Sequence, residues 1–193
     1  MVASLISDYV PSSREQALRR AVEMMIAKIA DIEGRIKIGA INKDDFAELY
    51  NKFRAAAART NREEKLRTAA NITANALLPA DDPQRSPFDE LDHLMHCVDT
   101  LSSGAIAVLG ASIQARTPRH ANRGDTPFNF SALHQKLPDH DPDLLFSLSS
   151  ELRGLNLLHI TEGVIQSSNY EAYQFRVTPL GSRFTERFIE GRM

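Results

Sequence analysis

The chain has no tryptophan and a single cysteine, Cys97. One cysteine excludes an intramolecular disulfide, and a reducing cytoplasm is the simplest setting for such a chain. It also leaves no CxxC pair for zinc or redox chemistry. No apolar run approaches the ~18 residues of a membrane span. The opening stretch MVASLISDYVPSS has no basic region followed by a long apolar run, so no signal peptide is expected. Excess charge is lacking too: the formal net charge is −2, which by itself favours no polyanionic partner. GxSxG, GxGxxG and a phosphate-cradling glycine loop are all missing, so neither a catalytic function nor a cofactor is expected.

What is present is the composition of an ordinary soluble protein, with 42% apolar and 25% charged residues among 193. That length accommodates one or two domains. A chain of this size buries roughly 70% of its unfolded surface and needs no disulfide or metal to be stable.

The first half reads as helix throughout. Ser13 is placed to cap a helix beginning near Arg14 and running to about Ile38. Along it Leu18, Val22, Met25, Ile29, Ile32 and Ile36 are spaced 4, 3, 4, 3 and 4, a heptad-like apolar stripe. Met24 and Ile26 widen it, and Gly39 ends the helix. The polar flanks carry both signs. The six stripe residues are therefore expected to form an oligomer interface, with burial against the chain's own helices as the alternative. Asn42 then starts a second helix with Asp45 in its first turn. Its apolar face is Phe46, Leu49, Tyr50 and Phe53. A third helix starts at Asn61, with Glu63 and Glu64 where the helix dipole favours acids. Leu66, Ala69, Ala70, Thr73, Ala76 and Leu77 make a narrow face suited to close helix–helix approach.

The stretch PADDPQRSP, residues 79–87, holds three prolines and predicts a linker between a helical region at 1–78 and a second domain at 88–193. The second domain opens with a helix whose apolar face is Phe88, Leu91, Met95, Val98 and Leu101. The pattern predicts that it continues, bent at Gly104, to about Ile113. Residues 115–128 read as an exposed loop with Arg116, Arg119, His120 and Arg123. The tripeptide Arg123-Gly124-Asp125 matches one read by cell-surface integrins, but in a chain of cytoplasmic character it is taken as chance. NFSALHQKLP predicts a short helix with Leu133 and Leu137 on one face. Asp141 caps the next helix and Pro142 starts it, with Leu145, Leu148 and Leu152 facing inward and Gly154 near its end.

LHITEGVIQSSNYEAYQFRVT then gives two β segments around a turn. In the second, Tyr173, Phe175 and Val177 alternate with Gln174 and Arg176, the period of a half-buried strand. Thr178 and Pro179 form a helix start directly after it. Leu180, Phe184 and Phe188 repeat every four residues along that last helix. Gly181 is unfavourable in a first turn, which points to something packed close against it.

The fold class expected is therefore mainly α: a helical N-terminal region followed by a domain with a small β-hairpin. The order helix, loop, helix, helix, strand, strand, helix resembles the winged-helix branch of the helix-turn-helix superfamily. Leu133 and Leu137, the segment LFSLSSELRGLNLLHI and the segment YQFRVTPLGSRF carry that resemblance, over about residues 88–190. It implies a third helix leading into a β-hairpin wing, and often a role in reading DNA. Arg153 and Asn156 on the third helix, with Arg116, Arg119 and Arg123 in the loop, are then the candidate nucleic-acid contacts.

Electrostatics oppose that role. From residue 139 to 172 six acids (Asp139, Asp141, Asp143, Glu151, Glu162, Glu171) face one cation, Arg153, a balance of −5. Phosphate neutralisation supplies most non-specific affinity, and this segment repels phosphate. Elsewhere, Lys52, Arg54, Arg59, Arg62, Lys65 and Arg67 stand against Glu63 and Glu64, a balance of +4, which reads as a solvated helical face.

One arrangement bears on metal chemistry. His93 and His96 share a helix face beside Cys97, with Asp89 and Asp92 a turn earlier. Zinc takes such ligands but needs three or four converging, and no HExxH pattern accompanies them, so no metal is expected. The sequence thus predicts a non-catalytic, self-associating interaction protein with protein partners. A DNA-binding regulator is the runner-up, and an enzyme with an unrecognised site comes third.

Overall fold

The computed structural model describes residues 2–115, 127–162 and 170–191, with backbone only at 2–13, 40 and 162. It is mainly helical with a small antiparallel sheet, as the sequence predicts. The chain divides into two compact units, one formed by Met1–Thr100 with Arg187–Met193 and the other by Leu101–Glu186. The division falls at Thr100, after the proline-rich stretch rather than within it.

In the first unit, α1 spans Val2–Ile32, α2 Lys43–Ala57, α3 Glu63–Asn75 and α4 Phe88–Thr100. Helix α1 is already wound at Val2, so Ser13 is not its cap. It ends at Ile32, earlier than expected, and tightens into 3-10 turns at Glu33–Arg35 and Ile38–Ala40 around Gly34 and Gly39. Asn42 caps α2 as expected, its side-chain oxygen accepting from Asp44 N and Asp45 N. Helix α3 is the centre of the unit, with α1, α2 and α4 all packed on it. Every residue from Thr68 to Pro79 is buried, not only a narrow face.

A helix enclosed on all sides has no solvent for its polar side chains, and each must find a partner. Thr68 and Thr73 donate to the carbonyls of Glu64 and Ala69. The Asn71 amide donates to the Phe188 carbonyl at 2.7 Å. Asn75, with no exposed surface, donates to the Gln84 carbonyl at 2.8 Å and accepts from Ser86 N at 2.9 Å.

These bonds explain why residues 79–87 are not a linker. The segment is folded into successive turns, with Asp82 N donating to Pro79 O and Arg85 N to Asp82 O. Arg35 grips the Asp82 carboxylate through two nitrogens, at 3.0 and 2.6 Å. That guanidinium holds the Asp82 carboxyl below its ordinary range. Prolines here shape a tied-down corner, and α4 continues the first unit by packing on α2 and α3.

In the second unit, α5 spans Ser103–Gln114, β1 Phe128–Asn129, α6 Phe130–His134, α7 Pro142–Gly154, β2 Leu158–Glu162, β3 Tyr173–Val177 and α8 Pro179–Arg183. The expected single helix over 88–113 is interrupted at Leu101–Ser102. Ser102 caps α5, its hydroxyl accepting from Ala105 N, and its own N–H donates to the Glu151 carboxylate. Gly104 is not a bend. It lets Leu148 of α7 approach, since a Cβ there would lie 3.0 Å from Leu148 Cδ1.

The sheet order is β1-β3-β2, antiparallel throughout. Phe128 pairs with Phe175 and Leu158 with Val177. Sequence reasoning missed β1, because a two-residue strand is too short to show a period. Asn129 both ends β1 and caps α6 through Ala132 N. Asp141 caps α7 and Pro142 opens it, as expected. Leu133, Leu145, Leu148, Leu152, Phe175 and Val177 form the core of the unit. Phe130, Phe146, Tyr170 and Tyr173 extend it as a chain of ring contacts 4.7–5.2 Å apart.

The join of β3 to α8 is built from three backbone-level contacts. Asn156 adopts φ 60° at the end of α7 and so turns the chain into β2. Its carbonyl accepts from the Thr178 hydroxyl at 2.7 Å, and Leu157 O accepts from Thr178 N at 3.1 Å. The same Thr178 hydroxyl accepts from Gly181 N and caps α8. Beyond Arg183 the helix widens into a π-helical turn, Phe184–Ile189. Phe184 and Phe188 are fully buried, while Leu180 is half-buried.

Candidate interaction surfaces

The α1 stripe is divided by its surroundings. The buried face of α1, the helix packed on α3, is made of Ala17, Ala21, Met25 and Ile32. Small residues bring helices close, and two of these four positions, Ala17 and Ala21, lie outside the expected stripe. Ile32 packs with Ala74 and Leu78, and Ile29 and Ile36 lean on that cluster. The six residues are therefore not one interface: Met25 and Ile32 belong to the core. Leu18, Val22 and Ile29 are half-buried at its border. Beside them Ile26 is 59% exposed, a large apolar side chain outside the core.

The second surface is α7. Its outer side carries Asp143, Leu144, Ser147, Ser150, Arg153 and Gly154, all exposed. Leu144 is 49% exposed. Sequence reasoning passed over it, although its position was legible: only Leu145 of the Leu144-Leu145 pair follows the inward spacing of Leu148 and Leu152. Asp143 accepts from the Tyr170 hydroxyl, and that carboxylate raises the phenol's pKa. Asn156 is exposed but its carbonyl is engaged by Thr178. Arg176, exposed opposite His159 in the β2–β3 ladder, is a cation the sequence reading did not single out. Arg116, Arg119 and Arg123, with the tripeptide at 123–125, lie outside the described residues.

The basic cluster at 52–67 is largely compensated within the first unit. Lys52 pairs with Glu48 and with Asp92 of α4, which raises its pKa. Arg59 pairs with Asp99, Arg67 with Glu63, and Lys65 donates to the Asp99 carbonyl. Acids of α4 thus meet a cation of α2 and one just beyond its end, and the sequence could not show it because the partners are 40 residues apart. A cavity of about 320 Å³ beside these pairs is lined by Lys52, Ala55, Arg59, Asp92, Met95, His96 and Asp99.

His93 and His96 do not converge on further ligands, and no group of three metal-ligating side chains occurs among the described residues. His93 Nε2 sits 3.6 Å from Cys97 Sγ, and His96 lies beside the Thr100 hydroxyl. Cys97 has no exposed surface, and burial pushes its thiol up to about 12. A thiol held protonated is a poor nucleophile. Among the described residues no single helix is long and apolar enough to cross a membrane.

The Cys97 environment gives a measurable pH effect. Its folded pKa lies above the ordinary 9.0. Below about pH 9 the thiol is neutral in both states and its contribution to stability is intact. Above that value the unfolded chain loses the proton and the folded chain keeps it, so stability falls as pH rises toward 12. Thiol labelling should accordingly be negligible for the folded protein at pH 8 and complete in denaturant. Rapid labelling of folded protein would refute the buried assignment.

No protein-family model matches this chain, no curated protein matches it, and no solved structure matches it.

Proposed function

We propose that the protein is a non-catalytic interaction module of the cytoplasm, with a winged-helix second unit, that associates with itself and with protein partners. The observation that carries this reading is the surface of α7. In a winged-helix domain the corresponding helix is the one presented to a ligand. Here its outer side offers Asp143, Leu144 and two serines, with Arg153 at the far end. Exposed leucine beside carboxylates suits a protein surface and repels a phosphate backbone.

The winged-helix reading is supported by the sequence of elements from α5 to α8. A short strand precedes two helices, and a hairpin returns beside that strand in the order β1-β3-β2. The lone, buried Cys97 is compatible with a reducing compartment and argues against thiol catalysis. The exposed Ile26 on α1 supports self-association.

A DNA-binding regulator is the second reading, favoured by Arg153 and Arg176 exposed on α7 and the hairpin. Titration with random-sequence duplex at several salt concentrations separates the two. The interaction module should show binding no tighter than about 10⁻⁴ M at physiological salt, the weak end of non-specific affinity. Micromolar or tighter binding that Arg153→Ala and Arg176→Ala weaken would overturn it. Light scattering at tens of micromolar protein should give the mass of a dimer or larger.

A further inference from the structure

The exposed side of α1 is self-complementary. Arg19, Ile26 and Glu33 are seven residues apart in turn, and all three are exposed. Seven residues fall about 20° short of two full turns, so Arg19 and Ile26 share a row along the side of α1 turned from the core, and Glu33 follows it in the 3-10 turn that directly continues the helix. At about 1.5 Å per residue, Arg19 and Glu33 each lie about 10 Å from Ile26 along the axis. The row is cationic at one end, apolar in the middle and anionic at the other. Half-buried Val22 and Ile29 border it, and Ala30 is exposed on the other side.

A second helix of the same sequence can lie on this row in two directions. A parallel copy sets Arg19 against arginine and Glu33 against glutamate. An antiparallel copy sets each arginine against a glutamate and brings the two Ile26 side chains together. The second arrangement has a two-fold axis through the Ile26 contact, so the Arg19–Glu33 pair occurs twice, as an isologous interface requires.

We propose that a second copy of this chain docks antiparallel along α1, with the two-fold axis at Ile26 and Arg19 facing Glu33 of the partner subunit. This rests on the self-association reading above and gives it a surface, a direction and a register. Ile26 supplies the apolar contact at the centre. The charged pairs at the rim set the direction more than the affinity, and they are weakened by salt.

Two single-cysteine additions test it in the full-length chain. Arg19→Cys and Glu33→Cys proteins are mixed under mild oxidation, with the wild type as control for the buried Cys97. The mixture should give a disulfide between positions 19 and 33, identified in the peptide digest, far in excess of 19–19 or 33–33 links. Predominant 19–19 and 33–33 links in a protein that is still dimeric would overturn the antiparallel arrangement while self-association stands. A wild type that is monomeric by light scattering at tens of micromolar would overturn both. Charge reversal gives a second readout. Glu33→Arg should weaken the dimer roughly tenfold, since two attractive pairs become repulsive. Adding Arg19→Glu to that protein should restore it. A dissociation constant unmoved by the single reversal would overturn the register.

Discussion

Gly181→Ala is expected to cost about 3 kcal/mol or more, the upper range for forcing atoms into a filled site. A Cβ at this position would lie 3.0 Å from the Leu157 carbonyl carbon and closer still to its oxygen, with Val177 Cγ1 at 3.1 Å. The oxygen is not free to move away, because it accepts from Thr178 N. That bond sits beside the Thr178 hydroxyl, which accepts from Gly181 N and donates to Asn156 O. Relief of the clash would therefore disturb the cap of α8, the end of α7 and the start of β2 together. In an exposed first turn the same substitution would help, since alanine is the better helix former by up to ~1 kcal/mol. The sign of the effect is thus diagnostic. Chemical denaturation that shows Gly181→Ala neutral or stabilising would mean that α8 does not approach Leu157.

Phe184→Ala is expected to cost about 3–5 kcal/mol, the usual range for truncating a buried phenylalanine. Phe184 has no exposed surface and heads the π-helical turn that follows α8. Its neighbour Thr185 is also buried and donates to the Gly181 carbonyl at 3.0 Å, so the local backbone is held and cannot collapse readily into the space left. A cavity that stays open is the costly case. The second unit should lose its thermal transition at much lower temperature than the wild type. A midpoint unchanged within error would show that the ring is not in the core.

The hairpin and the join after it were legible because the information is local. Tyr173, Phe175 and Val177 carry the period of two, and Thr178-Pro179 names a helix start within two residues. Asn42, Asn129 and Asp141 all cap helices; the first and last were read from sequence. Asn129 was not, because nothing before it resembled a strand. What failed needed distant partners. The proline-rich segment looked like a linker because Asn75 and Arg35, which fix it, lie up to 47 residues away. The α1 stripe was read as a single seam because periods of 3.5 and 3.6 barely separate over 20 residues. Ala17 and Ala21 are buried on α1 in place of larger stripe residues, and alanine adds little to an apolar pattern. The positive balance of residues 52–67 was real in sequence, but the carboxylates of Asp92 and Asp99 answer it in space.

The first unit takes its last pieces from the end of the chain. Asn71, in the enclosed helix α3, donates to the carbonyl of Phe188, and Lys28 Nζ donates to that of Gly191 at 2.9 Å. During synthesis, helices α1 to α4 leave the ribosome well before either carbonyl exists. At about 5–20 residues per second the delay is several seconds, long compared with the formation of helices. For that interval the Asn71 amide and the Lys28 ammonium have only water or substitute partners. The first hundred residues thus emerge with two donors, Asn71 and Lys28, whose final acceptors arrive only with residues 188–191.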